Sequence, residues 1–212
     1  MSNKIKICFL DEEPTWQYMA HKKLGDDFDV DILEQEKLPK EVSSIWSIII
    51  EKEPDVIIVD YKLNESGVLP YTGDAVVSEI RKHNLHLPIF MMTSFEQNAL
   101  QECVEVQIVR GKEMLSESSK LENLKTLIRA SVNQYNSRKL EYEGTILRLA
   151  AKIDAGEELT EDEMADKFDA ELYISELDLD SGVRAHLINH EVSKKLSNIV
   201  EMAESILDKL SK

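Results

Sequence analysis

The run Asp55-Val56-Ile57-Ile58-Val59-Asp60 decides the fold. Four consecutive β-branched apolar residues between two acids are too few for a helix and too uniformly apolar for a strand with one wet face. They fit a strand inside a parallel sheet that helices cover on both sides. Working outward, comparable runs predict strands over 4–10, 28–33, 55–60, 87–93 and 106–110, with helical patterns at about 14–25, 39–52, 73–84 and 95–104 between them. Strands alternating with helices imply an α/β fold, a doubly wound five-stranded parallel sheet. Ligands of such a sheet sit at the carboxyl ends of its strands, near the switch in strand order.

The rest of the chain reads differently. All five prolines lie within the first 88 of the 212 residues, and a long proline-free stretch suits helices. Leu121, Leu124, Ile128, Val132 and Tyr135 recur at helical spacing, and apolar residues continue to Ile153, as one long helix or two joined near Gly144. Gly156 is placed to end it as a C-terminal cap. Thr160-Glu161-Asp162-Glu163 fits a capping box opening a short helix to about Ile174. Asp180 or Ser181 can cap a last helix to Leu210, whose Val192, Leu196, Ile199, Ala203, Ile206 and Leu210 form a coiled-coil or bundle seam. Two domains are expected, 1–137 and an all-helical 138–212.

Composition removes several function classes. The chain carries 41 acids against 25 bases, a net charge of −16, divided as −9 over residues 1–115 and −7 over 116–212. Neither half is basic, which argues against a DNA-phosphate binder. Apolar runs are far shorter than the ~20 residues of a membrane span. The first residues hold no long apolar run of the secretory kind. Cys8 and Cys103 lie in apolar stretches and read as buried thiols of a reducing, cytoplasmic compartment.

The chemistry gathers at strand ends. Asp11, Glu12 and Glu13 follow the first predicted strand and Asp60 ends the third, so several carboxylates share one crevice. Such a cluster repels itself unless a hard cation such as Mg²⁺ neutralises it. Thr93 closes the fourth strand and Lys112 follows the fifth. Acids, a hydroxyl and an ammonium are what a phosphoryl group on a carboxylate needs to offset its charge.

These motifs, Leu10-Asp11-Glu12-Glu13-Pro14, Asp55 to Asp60, Met92-Thr93-Ser94 and Gly111-Lys112, resemble the receiver domain of two-component response regulators over residues 4 to about 137. The resemblance implies a receiver or flavodoxin-like sheet. It also implies that Asp60 is the phosphoacceptor for a histidine kinase or phosphotransfer protein. Mg²⁺ would be held by Asp11, Glu12, Asp60 and the backbone carbonyl of Lys62, and Thr93 and Lys112 would stabilise the phosphoryl group. The chain departs from the family in three places. Segment 62–72 is longer than usual, and Asn64, Glu65, Ser66, Gly67 and Pro70 mark it as an exposed insertion. Val109 stands where a switching aromatic is common, and Glu12 replaces the commoner aspartate.

The second half has no basic recognition helix, phosphate loop, nucleophile elbow or cysteine metal site. The stretch from His190-Glu191 to Ile199 resembles the phosphorylatable histidine box of sensor kinases, which would make His190 a second phosphosite with Glu191 beside it. Lys194 and Lys195 depart from that pattern. His186 and His190 would supply only half a zinc site. The leading expectation is a non-enzymatic response-regulator-like protein that passes its signal to a downstream protein partner, with a homodimer through the last helix as a further option. Alternatives are a phosphorelay intermediate or phosphate sink using Asp60 and His190, and a phosphorylation-independent scaffold.

Overall fold

The computed structural model describes residues 4–94, 99–101 and 105–177. The strands are β1 (Lys6–Leu10), β2 (Asp29–Leu33), β3 (Val56–Asp60), β4 (Ile89–Thr93) and β5 (Val109–Gly111). All pair in parallel, in the order β2-β1-β3-β4-β5. The helices are α1 (Pro14–Leu24), α2 (Ile45–Ile50), α3 (Gly73–His83), α4 (Ser118–Asp154) and α5 (Glu161–Leu177). This is the expected doubly wound sheet followed by helices. One compact unit ends at Leu140 and a second begins at Glu141.

Burial follows strand position. Every residue of β3 and β4 is buried, whereas β2, an edge strand, alternates until Leu33. Successive side chains of a strand point to opposite faces, so the sheet divides its apolar residues between two cores. Cys8, Leu10, Ile57, Val59 and Met91 pack with Ile45 and Ile49 of α2 and with Val76 and Ile80 of α3. Ile7, Phe9, Ile58, Phe90 and Met92 pack with Ala20 and Leu24 of α1 and with Leu121, Leu124 and Ile128 of α4.

Three local expectations change. The strand expected over 106–110 is instead a 3₁₀ turn, Val106–Ile108, followed by the three residues of β5. An edge strand paired only with β4 needs no more length. The helix expected over 39–52 shortens to a 3₁₀ turn, Val42–Ser44, and α2. The insertion is not simply an exposed loop. Asn64 to Gly67 and Pro70 are exposed, but Leu63, Leu69 and Tyr71 are buried in the core. The Tyr71 hydroxyl donates to the Pro39 carbonyl at 2.8 Å, Ser66 Oγ donates to Gln35 Oε1 at 2.9 Å, and Lys40 Nζ donates to the Val68 carbonyl. These bonds pin the insertion to the segment between β2 and α2. The helix expected over 95–104 is described only at Ala99–Gln101, which is helical.

In the second unit, α4 continues unbroken past Gly144 to Asp154. It ends in a Schellman motif: Glu157 N–H donates to the Lys152 carbonyl, Gly156 N–H donates to the Ile153 carbonyl, and Gly156 adopts φ +78°. The capping box forms as expected. Glu163 N–H donates to Thr160 Oγ1 at 3.2 Å, and Thr160 N–H donates back to Glu163 Oε2 at 3.0 Å. The Tyr142 and Tyr173 rings meet at 4.5 Å, closing the α4–α5 hairpin. The last predicted helix lies outside the described residues.

Candidate functional site

Parallel register brings the strand ends together. Leu10 of β1 pairs with Val59, Asp60 of β3 with Met92, and Thr93 of β4 with Gly111. The residues that close these strands or follow them, Asp11, Glu12, Asp60, Thr93 and Lys112, therefore share one crevice, and all five are buried.

Local bonds fix each acid. Asp11 Oδ1 accepts the Glu13 N–H at 2.9 Å, a turn that starts α1. Asp60 Oδ2 accepts the Lys62 N–H at 2.9 Å. The chain must then pass close to its own backbone, because Gly73 N–H donates to the Tyr61 carbonyl at 2.8 Å. A Cβ on Gly73 would lie 2.0 Å from the Asp60 carbonyl oxygen, so only glycine fits there. This explains why an insertion before Gly73 leaves the carboxyl end of β3 in place.

One ammonium serves several carboxylates. Lys112 Nζ lies 2.9 Å from Asp11 Oδ2, 3.0 Å from Asp60 Oδ1 and 3.4 Å from Glu13 Oε1. The contact to Asp11 Oδ2 is an ion pair between two buried groups. That oxygen and Glu12 Oε2 are buried with no hydrogen-bond partner. Burial, partly offset by Lys112, pushes the Asp11 carboxyl up to about 6. Burial and the Asp60 charge push Glu12 up as well. Burial opposes the charged form of Lys112, but Asp60 and Asp11 outweigh it and raise its pKa.

The donor set suits a divalent ion. Asp11, Glu12 and Asp60 each offer an oxygen, and these atoms lie within 4.8 Å of one another. Three buried carboxylates against one lysine leave excess negative charge, and buried charge is costly unless compensated. Glu12 Oε2, which has no hydrogen-bond partner, and Asp11 Oδ2, held by the Lys112 ammonium, are oxygens that a hard, oxygen-preferring cation such as Mg²⁺ would satisfy. The Lys62 carbonyl accepts the Glu65 N–H at 3.0 Å, a turn bond inside the insertion that leaves it a second lone pair.

Sequence reasoning placed the five buried residues and set Glu13 in the same crevice, but it missed Trp16 and Gln17 beside them. Glu13 reaches Lys112, the Trp16 ring centroid lies 5.5 Å from Lys112 Nζ, and the Gln17 side-chain amide donates to the Asp11 carbonyl at 2.6 Å. Their i, i+3, i+4 spacing on the first turn of α1 was the available signal. His190 and Glu191 lie outside the described residues. Among the described residues no helix is long and apolar enough to cross a membrane.

No protein-family model matches the chain, and no curated protein does either. Solved structures overlap loosely. A yeast Spc42 trimeric coiled-coil segment fused to another structure is 16% identical, with 95% of this chain and 99% of that chain covered at a TM-score of 0.48. Two structures of the Salmonella typhimurium RcsB response regulator are 13% and 14% identical, each covering 87% of this chain, with 98% and 97% of their own chains covered and TM-scores of 0.44 and 0.39. Overlaps this loose say nothing of what this chain binds.

Proposed function

We propose that this chain is a receiver-like signalling protein whose Asp60 accepts a phosphoryl group from the phosphohistidine of a histidine kinase or phosphotransfer protein. The observation that carries this reading is the buried constellation of Asp11, Glu12, Asp60, Thr93 and Lys112 at the carboxyl ends of adjacent parallel strands. In the transfer an Asp60 carboxylate oxygen forms a bond to phosphorus while the phosphorus–nitrogen bond breaks, and the freed imidazole takes up a proton. The Lys62 N–H and Lys112 ammonium hold the two Asp60 oxygens, fixing the orientation of the acceptor. Lys112 offsets charge on the acyl phosphate, and the Thr93 hydroxyl donates to a phosphoryl oxygen. Asp11, Glu12, Asp60 and the Lys62 carbonyl would hold Mg²⁺, which would supply Lewis-acid neutralisation of phosphoryl charge. Water later cleaves the acyl phosphate to the carboxylate and inorganic phosphate, so the protein turns over no substrate of its own.

The acidic second half supports a protein partner rather than DNA as the recipient of the signal. The test is intact mass after incubation with a small-molecule phosphodonor and Mg²⁺. Wild type is expected to gain one phosphoryl group and Asp60→Asn none. Equal gain by both proteins refutes the assignment, and no gain by either supports a phosphorylation-independent scaffold.

A further inference from the structure

The ammonium of Lys112 is buried, and the carboxylates of Asp11, Asp60 and Glu13 lie within 3.4 Å of it. The face of Trp16, from the first turn of α1, lies 5.5 Å from it. Trp16 is half-buried and packs against the core formed by Ile7, Phe9, Ala20 and Phe90. An indole face attracts a cation through its quadrupole, most strongly when water is excluded.

We propose that Trp16 is a positioning residue for Lys112, holding the ammonium between Asp11 and Asp60 through its ring face. The proposal deepens the phosphoacceptor reading and rests on it for its kinetic consequence. Lysine is a flexible point charge on a four-carbon stem. Without a fixed wall it has several ways to pair with three acids, and only some leave it placed to meet a group on Asp60. The ring supplies that wall with no formal charge, so it does not compete with an incoming phosphoryl group as a fourth carboxylate would.

The test compares the full-length parent protein with Trp16→Phe and Trp16→Leu, all in a Trp46→Phe background. Phenylalanine keeps a π face, whereas leucine keeps only apolar bulk. Two quantities are measured: the rate of labelling by radioactive acetyl phosphate with Mg²⁺, and the proton chemical shift of the Lys112 ε-methylene. Trp16→Leu is expected to slow labelling by roughly two- to five-fold, a cation–π loss, while Trp16→Phe retains most of the parent rate. The ε-methylene signal is expected upfield in the parent and in Trp16→Phe, and unshifted in Trp16→Leu. Equal rates in all three proteins, or equal slowing by phenylalanine and leucine, overturns the proposal in favour of simple packing. If the parent takes no label, the phosphoacceptor reading fails and the methylene shift alone decides: loss only in Trp16→Leu upholds the hold on Lys112, and an unshifted parent overturns it.

Discussion

Lys112 Nζ lies 3.0 Å from Asp60 Oδ1, and both side chains are only 3% exposed. Screening by solvent is therefore weak, and the two opposite charges compensate each other directly. Removing one partner of a buried pair leaves the other uncompensated, at a cost of about 3–5 kcal/mol. Lys112→Met should lower unfolding stability by an amount of that order at neutral pH, measured by urea titration. Asp60→Asn added to Lys112→Met should recover part of the loss, because it removes the stranded charge.

The acidic pocket should make stability and metal binding respond to pH in opposite ways. Asp11 holds its proton more tightly when folded, with its pKa raised from 3.8 to about 6. Its favourable contribution is therefore complete below pH 3.8 and is lost as pH rises through about 6. Without divalent ions, wild type should lose on the order of 3 kcal/mol relative to Asp11→Asn across that window. Mg²⁺ affinity, which needs the carboxylates deprotonated, should rise over the same range. Titration calorimetry at pH 5 and pH 7.5 checks the second expectation, and affinity independent of pH would contradict it.

Much of this pocket was legible because it depends on strand ends. A run such as Val56 to Val59 locates β3, and a parallel sheet places whatever follows each strand beside its neighbours. What sequence could not show was set by contacts between distant segments. The 39–44 stretch forgoes a regular helix where Pro39 and Lys40 bond to Tyr71 and Val68, and nothing local to it announces those partners. The insertion carried turn residues at its tip, so its buried pegs Leu63, Leu69 and Tyr71 read as incidental. Trp16 reads as ordinary core until Lys112, 96 positions away, is brought to its face.

Glu53 adopts φ +48°, the one positive value among the described non-glycine residues. The left-handed region costs an ordinary side chain roughly 1–2 kcal/mol, and asparagine tolerates it better. Its ion pair with Lys6 is exposed, with Glu53 81% accessible, so little is lost with the carboxylate. Glu53→Asn should raise stability by about 0.5–1 kcal/mol, seen as a higher urea midpoint at unchanged slope.

The start of α5 rests on the reciprocal bonds between Thr160 and Glu163. Thr160→Ala should cost about 1 kcal/mol of local stability. Amide exchange at Glu163 should then quicken roughly five-fold, while exchange in β3 stays unchanged. Glu163 also accepts from Lys152 Nζ at 2.7 Å, and these donors lower its pKa to about 2. Its contribution is present above pH 4.5 and is lost as pH falls through about 2, so protection of the Glu163 amide, taken relative to the intrinsic exchange rate at each pH, should fall at low pH.

The most direct test of Asp60 as phosphoacceptor is to trap the acyl phosphate chemically. Phosphodonor and Mg²⁺ are added, the protein is reduced with borohydride, and peptides are sequenced by mass spectrometry. An acyl phosphate at Asp60 is reduced to homoserine, so homoserine is expected at position 60 only, and only when Mg²⁺ is present. Homoserine at another aspartate, or none at position 60 under conditions that label a control receiver, would contradict the account.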